Sequence, residues 1–278
     1  VAVGLSTVIA VLIDLAINPF GADVDAMVDL AVAAEDAGFS AVWVADHFSG
    51  SVVGRPWSRD PFVCLAAIAT KTSTIDLGLL VANMQNRHPA QLVSAVDSLV
   101  SLAPGRVHLG IGSGAVPGSR FAVEHEAIGT DLGTPDHRRT MLRETIGSVR
   151  AIWAGEATYR SETGVGFAGL DGMVGRTPCP PIIVGASAWP TIELALAVAD
   201  GVNLRRTPQA REHIERIGSA RPSSFEVSVL DGFDDAVDDR SRIDEAIEMG
   251  IDRLVLGISV PHDVTRLDAL DLAAFPPR

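Results

Sequence analysis

The chain has 278 residues, 47% of them apolar and 5% aromatic, and its 35 acidic against 22 basic side chains give a net charge of −13. A length of this order suits one large α/β unit that needs no disulfide staples. The charge excludes long-range attraction to nucleic acid or to anionic membranes. Lys71 is the only lysine, and no basic stripe with interleaved aromatics occurs. An anionic ligand must therefore be held locally, by a few arginines or by backbone N–H groups. Cys64 and Cys179 belong to no metal-like spacing and read as two reduced, mostly buried thiols. The apolar stretch 1–17 is interrupted by Asp14 and has no basic segment ahead of it. It reads as core strand plus loop rather than a membrane span, and a cytoplasmic location is expected.

Along the chain, short apolar runs rich in β-formers alternate with segments of helical spacing. Strands are expected near residues 3–5, 41–45, 75–82, 106–112, 182–186, 201–204, 225–230 and 253–258. The runs Ala41-Val42-Trp43-Val44-Ala45 and Leu254-Val255-Leu256 are continuously apolar, as parallel strands covered on both faces should be. Leu92, Val96, Leu99 and Val100 form one helical stripe. Met141, Leu142, Thr145, Ile146, Val149, Ile152 and Trp153 form another. Asp60-Pro61 and Thr207-Pro208 each place a cap residue before a proline at a first helical position. Gly38 and Gly250 sit where left-handed C-terminal caps belong. No linker or composition shift marks a boundary, so a single domain over residues 1–278 is expected. Eight strands alternating with helices predict a (β/α)8 TIM barrel rather than an open sheet. Residues 114–135 and 155–181 fit neither period and are polar and rich in Gly and Pro, as functional or mobile loops are. The first of them follows the fourth strand and should overhang the catalytic face.

Asp46 and His47 end the second strand, where a barrel places its chemistry and a His titrates near neutral pH. Two readings stand there: an acid–base pair, or a helix-capping Asp beside a hydrogen-bonded surface His. Gly110-Ile111-Gly112-Ser113-Gly114-Ala115 imitates a dinucleotide fingerprint, but the segment after it is polar and contains proline rather than an apolar helix. It reads as a turn that lets backbone N–H groups approach a ligand such as a phosphate, or as a tight structural turn. Gly185-Ala186-Ser187-Ala188, ahead of a helix start at Pro190, is either a phosphate cradle or a plain strand-to-helix turn. Arg205 and Arg206 follow the sixth strand, available to an anionic tail or simply solvated. His88-Pro89, Glu124-His125-Glu126 and His137-Arg138-Arg139 are weaker polar clusters. Glu124-His125-Glu126 has no third ligand at a recognisable spacing, so no metal is expected. A nucleophile elbow and a P-loop are both absent from the sequence.

Taken in order, these pieces resemble the bacterial luciferase-like family of flavin- and deazaflavin-dependent oxidoreductases. The resemblance runs from about Ala31 to Asn203. It rests on Ala34-Glu35-Asp36-Ala37-Gly38-Phe39, Val42-Trp43-Val44-Ala45-Asp46-His47-Phe48, Asp60-Pro61, Leu77-Gly78 and Arg87-His88-Pro89-Ala90. It continues in Pro104-Gly105-Arg106-Val107, Leu109-Gly110-Ile111-Gly112-Ser113-Gly114, Arg143-Glu144, Ile152-Trp153 and Ala199-Asp200-Gly201. It implies a (β/α)8 barrel binding coenzyme F420, a deazaflavin, or alternatively reduced FMN, at the C-terminal mouth.

The resemblance also implies that His47, with Asp46 beside it, handles the proton. Ser113, Gly114 and the turn Gly185, Ala186, Ser187 and Ala188 would hold the cofactor phosphate, with Gly112 and Asn83 beside them. A non-proline cis bond at Leu80–Val81 would support the ring from behind. A homodimer is expected on the same ground. Two departures stand out. Ala115 occupies the position where sugar-phosphate dehydrogenases of the family carry a Glu, and the chain is short after its seventh strand, which leaves a more open mouth. Three functions follow: an F420-dependent oxidoreductase acting on a small organic substrate, an FMNH2-dependent monooxygenase, or a non-catalytic flavin-binding barrel. The Arg-rich, Lys-poor composition fits a GC-rich genome of the actinobacterial kind, where deazaflavins are common.

Overall fold

The computed structural model describes residues 11–175, 177–218, 220–270 and 272. Eight parallel strands close into a barrel: β1 (Leu12–Ile17), β2 (Ala41–Val44), β3 (Asp76–Leu79), β4 (Val107–Gly112), β5 (Ile182–Ala186), β6 (Gly201–Arg205), β7 (Glu226–Gly232) and β8 (Arg253–Ile258). Each pairs with the next, and β8 returns to β1. Helices pack outside, among them α1 (Val24–Ala37), α2 (Pro61–Ala69) and α3 (Pro89–Leu102). This is the (β/α)8 architecture that the alternation of elements predicts. No helix among the described residues is long and apolar enough to cross a membrane.

The helix signals act as expected in most places. The Asp60 carboxylate accepts the Phe62 and Val63 N–H groups at the start of α2, and Gly38 ends α1 at φ 91°. The stripe Leu92, Val96, Leu99 and Val100 is buried on α3. Thr207-Pro208 is an exception, because that helix begins at Ala210, and Thr207 and Pro208 lie in the turn before it. The strand expected at residues 3–5 lies outside the described residues. The first barrel strand described is Leu12–Ile17, which contains the Asp14 read as an interruption. The strand expected across 75–82 is broken. It stops at Leu79, passes a cis Leu80–Val81 bond, and resumes as Ala82–Asn83 beside β4.

Alternate strand residues divide the core into two layers. Leu15, Val42, Leu77, Leu109, Val202 and Leu254 face the helices. Ala16, Trp43 and Val255 fill the barrel interior. The Trp43 ring occupies the space over Gly78, where a Cβ would sit 2.2 Å from the indole.

Below that ring the interior is polar. Arg253 donates to Asp14 Oδ1 at 3.2 Å, to Glu226 Oε2 at 2.8 Å and to Asp76 Oδ2 at 3.4 Å. The Trp43 indole N–H donates to Asp14 Oδ2 at 3.0 Å. Burial outweighs the attraction of Arg253 and pushes the Asp14 carboxyl up to about 6. Because the folded protein binds that proton more tightly than the unfolded chain, Asp14 favours folding at low pH, and this contribution fades as the pH rises through 6. Arg253→Leu strands three carboxylates in the interior. We expect a loss of about 3–5 kcal/mol near neutral pH, measured by urea denaturation. The loss should shrink between about pH 8 and about pH 5 as Asp14 protonates. An equal loss at both pH values would contradict this account of the floor.

Candidate active site

At the C-terminal ends of the strands the barrel opens into a cavity of about 1000 Å³. Asp46, His47, Leu80, Val81, Asn83, Gly112, Ser113, Gly114, Gly185, Ala186, Ser187 and Ala188 all line it. Residues as far apart in the chain as Asp46 and Ala188 therefore share one mouth, as barrel loops allow.

His47 is partnered by a residue that the strand-end reading did not select. Its Nδ1 lies 2.5 Å from Glu124 Oε1, and Glu124 Oε2 accepts the N–H groups of Phe48 and Ser49 at 3.1 Å each. The Glu124 side chain is 1% exposed and the His47 side chain 21%. A carboxylate at Nδ1 holds the proton there and leaves the Nε2 lone pair as the ring's acceptor. The rings of Phe20 and Phe121 flank the imidazole at 5.3 Å each. Glu124 sits in a short helix, Val123–Ala127, inside the 114–135 loop, so that loop overhangs the mouth as predicted. In the sequence Glu124-His125-Glu126 reads only as a weak polar cluster without metal-ligand spacing. An acid inside the overhanging loop was the signal for a partner to His47.

Asp46 departs from the acid–base role. Its Oδ2 accepts Arg87 Nη1 at 2.7 Å and the Asn83 N–H at 3.0 Å, while Arg87 Nη2 donates to Asp60 at 2.8 Å. Asp46 is thus a fixed counter-ion that anchors the chain beside His47. Asn83 in turn donates from Nδ2 to His125 Nε2 at 2.7 Å and accepts the Gln85 N–H at 3.0 Å. Burial lowers the pKa of His125, favouring the neutral ring that accepts this bond.

The glycine run behaves differently from the expected turn. Gly110 and Gly112 are residues of β4, and their missing side chains leave room for the Leu79 carbonyl and the Val81 side chain. Gly185 makes the same allowance for Val81. Only Gly114, at φ 78°, is a left-handed turn residue. Backbone packing, rather than ligand approach, requires the first two glycines. Gly185-Ala186-Ser187-Ala188 does run from β5 into a helix, Trp189–Val198, with Pro190 in its first turn.

None of the described residues of 155–181, which read as a functional or mobile loop, lines the cavity. They pack outside the barrel, where Glu144 accepts Ser161 and Thr163 hydroxyls and Asp97 accepts the Gly175 N–H. This follows from topology, since the segment joins a helix to β5 and so starts at the opposite face. Arg205 and Arg206 both line the cavity; Arg206 is bound to Asp231 and Glu245, whereas Arg205 has no carboxylate partner among the described residues. Burial pushes the Cys64 and Cys179 thiols up to about 11, away from nucleophilic chemistry. Among the described residues no group of three or more His, Cys, Asp or Glu is arranged to hold a metal ion.

Glu124→Ala would leave two N–H groups and the imidazole without their acceptor. We expect a destabilisation of about 1–3 kcal/mol. Faster hydrogen exchange should appear at the Phe48 and Ser49 amides, with the Asp60-capped helix unchanged. Unchanged protection at Phe48 and Ser49 would remove Glu124 from this role.

Comparison with known proteins agrees with this geometry. A family model described as "Luciferase-like monooxygenase" matches residues 6–229. An F420-dependent hydroxymycolic acid dehydrogenase of Mycobacterium tuberculosis is 34% identical over 180 residues, 64% of this chain and 48% of that protein. A 5,10-methylenetetrahydromethanopterin reductase of Methanolobus tindarius is 31% identical over 196 residues, 70% of this chain and 51% of that protein. The chain thus spans about half the length of these curated relatives. The solved structure of an F420-dependent secondary alcohol dehydrogenase, in complex with an F420-acetone adduct, superposes with a TM-score of 0.78 at 17% identity. It covers 96% of this chain and 98% of that one, a likeness of fold. Because the family match spans most of the sequence, the chain belongs to the luciferase-like monooxygenase family.

Proposed function

We propose that this protein is an F420-dependent oxidoreductase acting on a small organic substrate. The observation that carries the reading is the His47–Glu124 pair opening into a cavity whose far walls are the Ser113–Gly114 and Gly185–Ala188 turns. The names of the curated relatives support the choice of deazaflavin.

The residues present fit such a group. The cavity volume suits a tricyclic ring with a side chain. The Val81 side chain, packed into the room left by Gly112 and Gly185, supplies an apolar backing. Ser113, Gly114, Ser187 and Ala188 offer hydroxyl and backbone donors at the start of a helix, where a phosphate is favoured. When bound, the deazaflavin supplies hydride exchange; the protein supplies orientation and the proton. Nε2 of His47 accepts or returns the substrate proton while Glu124 steadies the charged ring. Phe20 and Phe121 keep water from its faces. Asp46 and Arg87 hold the backbone that carries the imidazole.

A second reading, an FMNH2-dependent monooxygenase, is favoured by the description of the matching family model. Parallel titration with F420 and with FMN separates the two, and so does turnover measured with and without oxygen. We expect saturable F420 binding. We also expect His47→Ala to bind the cofactor within a few-fold of the parent while losing about 10²–10⁴ in turnover. Absence of F420 binding would end the first reading. Full turnover in the His47→Ala protein would remove His47 from the chemistry, and absence of turnover in the parent with either cofactor would point to a non-catalytic barrel.

A further inference from the structure

The charge of the cavity runs against the charge of the chain. Three carboxylates line it, and each is already paired: Asp46 with Arg87, Asp231 with Arg206 and Arg242, and Asp235 with Arg242. Arg55, Arg120, Arg138 and Arg205 line the same cavity with no carboxylate partner among the described residues; Arg138 is buried and the other three are exposed. In a protein with 35 acidic side chains, four guanidinium groups without a carboxylate around one mouth make a locally positive patch that attracts an anion. Arg138 is 5% exposed and donates only to the carbonyls of Leu132 and Gly133. Desolvation, together with the like charge of Arg120, lowers the pKa of Arg205, so these two cations sense each other.

The backbone places this charge at the same mouth as His47. Ala186 and Leu204 are register partners, so Ser187, just past the end of β5, and Arg205, the last residue of β6, are neighbours at the mouth. The Arg120 guanidinium lies 4.7 Å from the Phe121 ring centre, and the same ring lies 5.3 Å from the His47 ring. One aromatic side chain therefore separates a free cation from the imidazole.

We propose that Arg120, Arg138 and Arg205 form an anion-receiving site that takes the carboxylate or phosphate of an anionic substrate, holding it next to His47. Arginine suits either group because its planar fork donates two parallel hydrogen bonds. A neutral alcohol or hydrocarbon would leave the three cations unpaired. The assignment of the anion to the substrate rests on the oxidoreductase reading, whereas the anion site itself does not.

Inorganic phosphate is the probe, titrated into the intact protein and read by melting temperature and by phosphorus NMR. We expect a saturable rise in melting temperature. Arg120→Gln and Arg205→Gln should each weaken it about tenfold or more, and Arg160→Gln, in the outer hairpin whose strands are Thr158–Tyr159 and Phe167–Ala168, should leave it unchanged. In phosphate-free buffer the two cavity variants should melt at or above the parent temperature, because a repulsion has been relieved. That readout also establishes that they fold. No saturable response, or equal responses in all variants, would overturn the site. Repeating the titration with bound F420 or FMN decides the source. Retained phosphate binding supports a substrate anion, and displacement by the cofactor overturns that assignment in favour of the cofactor's own phosphate.

Discussion

Arg253 on β8 meets Asp14 on β1, Asp76 on β3 and Glu226 on β7, so one guanidinium ties four strands across the closed end of the barrel. Trp43 on β2 joins through its bond to Asp14, and His108 on β4 joins through its 3.1 Å contact with Asp76. Burying one cation among three anions is tolerable only when every group has a partner, and Asp14 still feels its desolvation. A floor fixed in this way relieves the other end of the barrel of structural duty. The C-terminal mouth is accordingly built from glycine, serine and loop residues that contribute little to holding strands together.

At the mouth two carboxylates sit close in the chain fold but do different work. Asp46 is neutralised by Arg87 and by a backbone N–H, so its role is static. Glu124 meets an imidazole whose other nitrogen remains available to a ligand, so its charge can follow a proton. The distinction rests on the partner rather than on the acid. A guanidinium stays charged at any accessible pH and locks its carboxylate, whereas an imidazole changes charge near neutrality and lets its carboxylate respond.

Much of the fold was legible because strands buried on both faces read as continuous apolar runs, and because capping residues mark helix starts. The limits were equally physical. Asp14 looked like a break in an apolar stretch because its partner, Arg253, lies 239 residues away. The glycines of β4 looked like a ligand loop because close packing against Leu79 and Val81 demands the same residue as a phosphate turn. Residues 155–181 read as a functional loop like 114–135 because polarity and glycine content do not reveal which end of the barrel a segment meets. Asp46 and His47 were found at the right strand end, since β2 fixes their position. Glu124 lies far from them in sequence and in a segment without periodicity, so only the folded loop reveals the pair.

The residues that carried the family resemblance mostly stabilise turns. Burial would raise the Glu35 carboxyl, but N–H groups of Thr74, Ile75 and Ser73 overcome that and hold it at about 2, pinning the turn into β3. Arg106 donates to the carbonyls of Ile75 and Thr72 at that same corner. Glu144 secures the outer hairpin, and Asp200 accepts the first N–H of β5. Arg120, Glu124 and Arg138, by contrast, come from the overhanging segment and the helix it leads into, which no short motif describes. A barrel of this kind therefore announces its architecture through its corners, while the charge it presents to a substrate is written in the segment that folds over the mouth.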